Sequence, residues 1–138
     1  MKQIVDAIRR ALRDDPIIVA TVGLDKDGET KVYQGLGKTN VEAPYIVLAV
    51  IPGVAPDGVY GDDYVVQNVM LQATAWGRNA NEAWQVAEVI QDAFEHSDYS
   101  VEPWELMRVR RGSFPREMTD RDTNMIQVNT DYVFRFSR

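Results

Sequence analysis

A chain of 138 residues, 45% hydrophobic and 26% charged, has the size and balance of one globular domain spanning 1–138, able to bury a core without metal or disulfide support. It has no cysteine, which excludes disulfide scaffolds and thiolate metal sites. Its formal net charge of −6 argues against a protein built to grip phosphate backbones, because that affinity comes from Lys and Arg.

The N-terminal stretch carries charges throughout and has no apolar signal core, so it is expected to belong to the folded domain. Ile4, Val5, Ile8, Ala11 and Leu12 share one helical face while Lys2, Asp6, Arg9, Arg10 and Arg13 share the other, which predicts an amphipathic helix over 3–14. Asp14, Asp15 and Pro16 end it. Residues 17–24 are apolar and rich in β-branched side chains, residues 25–28 supply turn chemistry, and 30–34 offer a returning strand; together they predict a hairpin. A loop through Gly35, Gly37 and Asn40 follows, and Pro44 opens a third strand over 45–51, where a missing N–H is tolerated. Residues 52–63 gather Pro, Gly and Asp around Val54, Val59 and Tyr60, which predicts a long contact loop rather than an element.

The stretch from Tyr64 to Trp76 reads as a long strand, followed by a Gly-Arg turn and the best helix signal of the chain. Asn79 and Glu82 have the spacing of a reciprocal N-terminal cap, and Ala83, Val86, Ala87, Val89, Ile90 and Phe94 form the apolar stripe behind it. Ser97 and Asp98 close this helix, with His96 in its last turn. A strand over 106–111, a polar loop over 112–122 and a final strand complete the chain. In that final strand Ile126, Val128, Thr130, Tyr132, Phe134 and Phe136 alternate with mostly polar neighbours, so one face is expected to be buried and the other polar. The element order predicts an α+β fold: an antiparallel β-sheet with two α-helices packed on one face.

No constellation of catalytic groups emerges, and no cofactor or metal is expected. Gly37-Lys38-Thr39 has the ending of a phosphate-binding loop, but the glycine required five residues earlier is Val32, and Pro44 closely follows where a helix should begin. Asp25-Lys26-Asp27-Gly28 has the start of a calcium loop, yet Leu36 stands where the closing Glu belongs, so a turn is the better reading. His96 is the only histidine and has no cysteine partners, so a solvated helix end is expected rather than a zinc site. The three tryptophans, Trp76, Trp84 and Trp104, are read as core rather than interface anchors.

Basic charge collects late in the chain, at Arg108, Arg110, Arg111, Arg116 and Arg121. A solvated surface accounts for most such clusters, but head-to-tail contact with acidic groups on a second copy is the functional alternative. The candidate interface residues are Val54, Asp57, Val59, Tyr60, Asp62 and Asp63 on one side, and Arg110, Phe114, Arg116 and Arg121 on the other.

Several segments now stand together: the N-terminal helix ending in Asp14-Asp15-Pro16, Ala43-Pro44-Tyr45-Ile46-Val47-Leu48, Gln72-Ala73-Thr74-Ala75-Trp76 followed by Asn79-Ala80-Asn81-Glu82-Ala83, and the alternating last strand. Through them the chain resembles the tail terminator, or tail-completion, proteins of long-tailed, siphovirus-like bacteriophages, over almost its whole length. The resemblance implies a structural, non-enzymatic virion protein: a homo-oligomeric ring, a hexamer, at the head-proximal end of the tail tube. Its partners would be the tail tube protein and the head-neck connector or stopper proteins, with genome DNA only passing through and no membrane. It would reside in the virion tail and neck, and in the host cytoplasm during assembly. A head-side neck adaptor is the near alternative; from a different class, the alternative is an α+β domain that binds or transforms a small molecule in a helix–sheet crevice.

Overall fold

The structure is a computed structural model, and it describes residues 2–35, 41–51, 58–60, 64–96 and 98–138. Its elements in chain order are α1 (Lys2–Asp14), α2 (Pro16–Val22), β1 (Val32–Gln34), β2 (Tyr45–Val50), β3 (Gly58–Tyr60), β4 (Tyr64–Gly77), α3 (Ala80–His96), β5 (Glu105–Arg111), β6 (Arg116–Thr119) and β7 (Ile126–Ser137). The fold is α+β, as the sequence predicts. Among the described residues seven strands form one sheet in which β1, β2, β4, β7 and β5 lie side by side, with β3 on β4 and β6 on β7. All pairings are antiparallel except that of β1 with β2, so the sheet is mixed.

Among the described residues three helices, not two, accompany the sheet. The stretch predicted as the first hairpin arm is α2, because Asp15 both closes α1 and opens a new helix. Its carboxylate accepts from the backbone N–H groups of Ile17 and Ile18 at 2.9 and 3.4 Å, and Pro16 occupies the first turn, where a missing donor goes unnoticed. Ile18 and Val22 are buried, and Gly23, at φ 76, terminates the helix with its N–H on the carbonyl of Val19. Packing of two buried residues at helical spacing here outweighs the β preference of Ile and Val. The turn at 25–28 does form, with Asp25 accepting from the N–H groups of Asp27 and Glu29. Its flanks meet only in a single bridge between Leu24 and Thr30. The returning strand, β1, then runs parallel to β2 instead of pairing back.

Two further corrections concern loops. The segment 52–63 includes a short strand, β3, paired with the start of β4, and the polar loop over 112–122 includes β6, paired with Ile126–Asn129 of β7. In both places a long neighbouring strand supplies a ladder that brief, breaker-rich sequence can join. The rest of 52–63 and the Gly37-Lys38-Thr39 motif lie outside the described residues.

The strongest local prediction stands, with one shift. The N–H of Glu82 donates to Asn79 Oδ1 at 2.9 Å, but the Glu82 carboxylate reaches back to the N–H of Arg78 at 3.0 Å, one residue beyond the expected partner. Strand β4 passes almost directly into α3: a Cβ on Gly77 would come within 2.5 Å of the Ala83 backbone nitrogen, so the junction needs glycine. One core cluster joins α1 (Ile4, Val5, Ile8 and Leu12), α3 (Ala83, Val86, Ile90 and Phe94) and the sheet, with Phe134 and Phe136 fully buried. Phe94 meets Tyr132 and Phe134 edge-on at 4.7 and 5.0 Å. Among the described residues no helix is long and apolar enough to cross a membrane.

Candidate functional site

The site begins with β7, because its register decides what each face of the sheet presents. Tyr132 and Phe134 point towards α3, and their partners in β5, Arg111 and Val109, lie on that side. Asn129, Asp131, Val133 and Arg135 therefore lie on the face away from α3, together with Arg110, which pairs with Val133, and Arg116, which pairs with Asn129. The polar half of the predicted alternation is largely covered even in the single chain: Asn129 and Val133 are buried. Thr74 Oγ1 donates to Asn129 Oδ1 at 2.7 Å, and the Asn129 amide reaches Gln127 and the Met118 sulfur. Side chains on this face thus satisfy one another across three strands.

Strands β5 and β6 run end to end along the same edge of β7. Between them the chain leaves the sheet at residues 112–115 and returns, forming a small projection. The projection is anchored at its base. Gly112 donates its N–H to the carbonyl of Asp131 at 2.7 Å, Ser113 Oγ donates to Asp131 Oδ2 at 3.2 Å, and the N–H of Asp131 donates to Ser113 Oγ at 3.3 Å. At its tip Phe114 is 83% exposed, more than any other large hydrophobic side chain among the described residues. Met107 and Met118 are exposed on the flanking strands. Asp131 Oδ1 is buried without a hydrogen-bond partner, while Arg116 lies 4.0 Å from Oδ2.

Of the predicted interface residues, Arg110, Phe114 and Arg116 are brought together on this edge, and Arg121 is exposed in the turn between β6 and β7. Val59 and Tyr60 lie in β3, paired with Val65 and Tyr64. That is the far end of the sheet: β3 reaches Val66, the partner of Ser137, whereas Arg116 pairs with Asn129. The eight residues from Asn129 to Ser137 span about 26 Å of strand. Val54, Asp57, Asp62 and Asp63 lie outside the described residues. Of the described residues, Val59 and Tyr60 in β3 thus lie apart from the arginine edge within one chain.

Three features escaped the sequence reading. On the face away from α3, Tyr45 stacks on Trp76 at 5.7 Å and 16°, with Tyr33 tilted beside it at 6.4 Å. Burial raises the Tyr45 phenol above its ordinary value, with Asp120 adding to it. Trp84 and Trp104 pack against the core, as expected of them, and Trp84 Nε1 also donates to Glu117 at 2.7 Å. Asp92, Glu95 and His96 bring one ligand atom each to within 4.8 Å of one another, all on exposed side chains. The spacing i, i+3, i+4 could have flagged them; they could hold a cation loosely, although Glu95 already accepts from Gln91 at 3.0 Å. Finally, a groove of about 550 Å³ separates α1 from residues 98–102, and Asp6, Asp14, Asp98 and Glu102 line it with Arg10. Only the folded chain brings these carboxylates together.

Comparison with known proteins adds to this geometry. The family model described as tail completion protein gp17 matches residues 6–137. A chain from the virion of a native gene transfer agent particle has the same fold, with a TM-score of 0.70 and 17% identity over 96% of this chain and 93% of that one. The gp17 protein of bacteriophage SPP1 matches at a TM-score of 0.61 and 15% identity, over 96% of this chain and 88% of that one. No curated protein matches the sequence.

Proposed function

The chain belongs to the tail completion protein gp17 family and is a structural protein of the phage tail; on that premise we propose that it forms a ring, a hexamer, on the head-proximal end of the tail tube. There it ends tube polymerisation and joins the tail to the neck. The family match over residues 6–137 carries this reading.

The mechanism is interface matching, not covalent chemistry. One face of the ring reproduces the contact that a tube subunit would make, and the other presents loops that no further tube subunit can use. The anchored projection at 112–115 supports the reading, since a rigid, exposed apolar tip loses little entropy on docking. So does the distance between β3 and the arginine edge, because contact between unlike surfaces closes a ring when the rotation allows it. The net charge of −6 suits a bore through which genome DNA passes without being held. The partners are further copies of this chain, the tail tube protein and the neck connector proteins, meeting first in the host cytoplasm.

Phage assembly without this protein is the test. Tails of uncontrolled length are the expected result. Tails of normal length that fail to join heads would identify a neck adaptor instead.

A further inference from the structure

We propose that the 112–115 projection of one copy seats Phe114 in the acidic groove between α1 and residues 98–102 of the next copy. This contact rests on the ring reading above and specifies which surfaces meet in it.

Charge is strongly separated along the sequence. Residues 79–107 carry seven carboxylates and no Lys or Arg, whereas 108–116 carry four Arg and no carboxylate. Folding sharpens the contrast. Arg110 and Arg111 flank the base of the projection, exposed, and their guanidinium groups have neither hydrogen bond nor ion pair among the described residues. Around the groove the carboxylates of Asp6, half-buried, and of Asp14 and Glu102, exposed, likewise have neither hydrogen bond nor ion pair among the described residues, against a single guanidinium, Arg10. Asp98 is already committed to Ser100, accepting its hydroxyl at 2.6 Å and its N–H at 2.9 Å. Ala7, Ala11 and Val101 give the groove an apolar wall between these charges. An aromatic tip flanked by arginines fits a cleft of that chemistry, with the ring displacing water and the guanidiniums meeting the rim.

The tip cannot serve its own groove. Gly112 is fixed to Asp131, while the segment 98–102 leads into Glu105, the partner of Ser137. The six residues from Asp131 to Ser137 span about 20 Å of strand, and Phe114 is 83% exposed. Projection and groove are different surfaces, so the contact is head-to-tail and suits a closed ring.

The test replaces Phe114 by p-benzoylphenylalanine, which keeps an aromatic tip, and irradiates the assembled protein. Mass spectrometry is expected to map the intermolecular cross-link to residues 3–14 or 98–102. In parallel, the double variant Arg110→Glu, Arg111→Glu should lose its rings by light scattering and electron microscopy, with an unchanged circular dichroism spectrum. Adding Asp6→Arg and Glu102→Arg to it should restore them. Rings that form normally, cross-link elsewhere and ignore the charge reversal would overturn this contact while leaving the ring reading intact. A protein that stays monomeric alone and also fails to coat tail-tube ends would overturn both.

Discussion

The two faces of β7 show how one strand can serve two masters. Towards α3 it presents Val128, Tyr132, Phe134 and Phe136, all buried in the core under a helix of the same chain. Away from α3 it presents Asn129, Asp131 and Arg135: Asn129 is met by Thr74 of β4, and Asp131 Oδ2 by Ser113 at the base of the 112–115 projection, while Asp131 Oδ1 is left without a hydrogen bond. The first face is completed by its own chain. The second leads to an edge where Phe114 and several arginines remain uncovered. Stability should therefore be concentrated on one side and assembly on the other, so substitutions on the two sides ought to separate the two properties.

The largest effect is expected at Phe94, which is 1% exposed and touches Tyr99, Tyr132 and Phe134 edge-on. Phe94→Ala should cost about 3–5 kcal/mol in urea denaturation, through lost transfer energy and the cavity left behind. A cost below about 1 kcal/mol would mean that the helix-covered face is not the stabilising core.

A smaller effect on the same face should appear in alkali. Burial pushes the Tyr132 phenol from 10.0 up to about 12, with Arg111 pulling it down and Glu95 and Asp92 pushing it further up. The folded chain therefore prefers the neutral phenol. The resulting stability is fully present below pH 10 and is lost as pH rises towards about 12. Tyr132→Phe cannot ionise, so its stability should fall less steeply across that window. Identical profiles would place the phenol in contact with water and weaken the contrast between the faces.

How much of this was legible in the sequence depended on which force decided each element. For α3 the cap at Asn79, the apolar stripe and the polar face agree, so the helix was readable from local signals alone. For α2 they conflict. Ile17, Ile18, Val19 and Val22 favour a strand, and only the cap at Asp15 with Pro16 argues otherwise, a pair that equally marks the end of the preceding helix. The dual role of Asp15 is testable: Asp15→Ala should cost about 1 kcal/mol by removing the acceptor for the N–H groups of Ile17 and Ile18. The parallel pairing of β1 and the ladders that recruit β3 and β6 depend on long-range contacts, which no local pattern encodes. For the candidate site, Arg110, Phe114 and Arg116 were legible as types. Their gathering around an anchored projection was not, because Asp131 holds its base from across the sheet. The acidic groove was invisible for the same reason, since Asp6 and Glu102 are nearly a hundred residues apart.

The smallest effect on stability belongs to the most exposed aromatic. Phe114→Ser should change the denaturation midpoint by no more than the equivalent of about 0.5 kcal/mol, since at 83% exposure the ring has little burial to lose. The backbone bond from Gly112 to Asp131 and the Ser113 contact do not involve the ring, so the projection should keep its shape. Chemical denaturation beside light scattering would show the two properties parting, with an unchanged midpoint and lost association. A loss above about 1 kcal/mol would instead place Phe114 among the groups that hold the domain together, leaving no free tip for a second copy to receive.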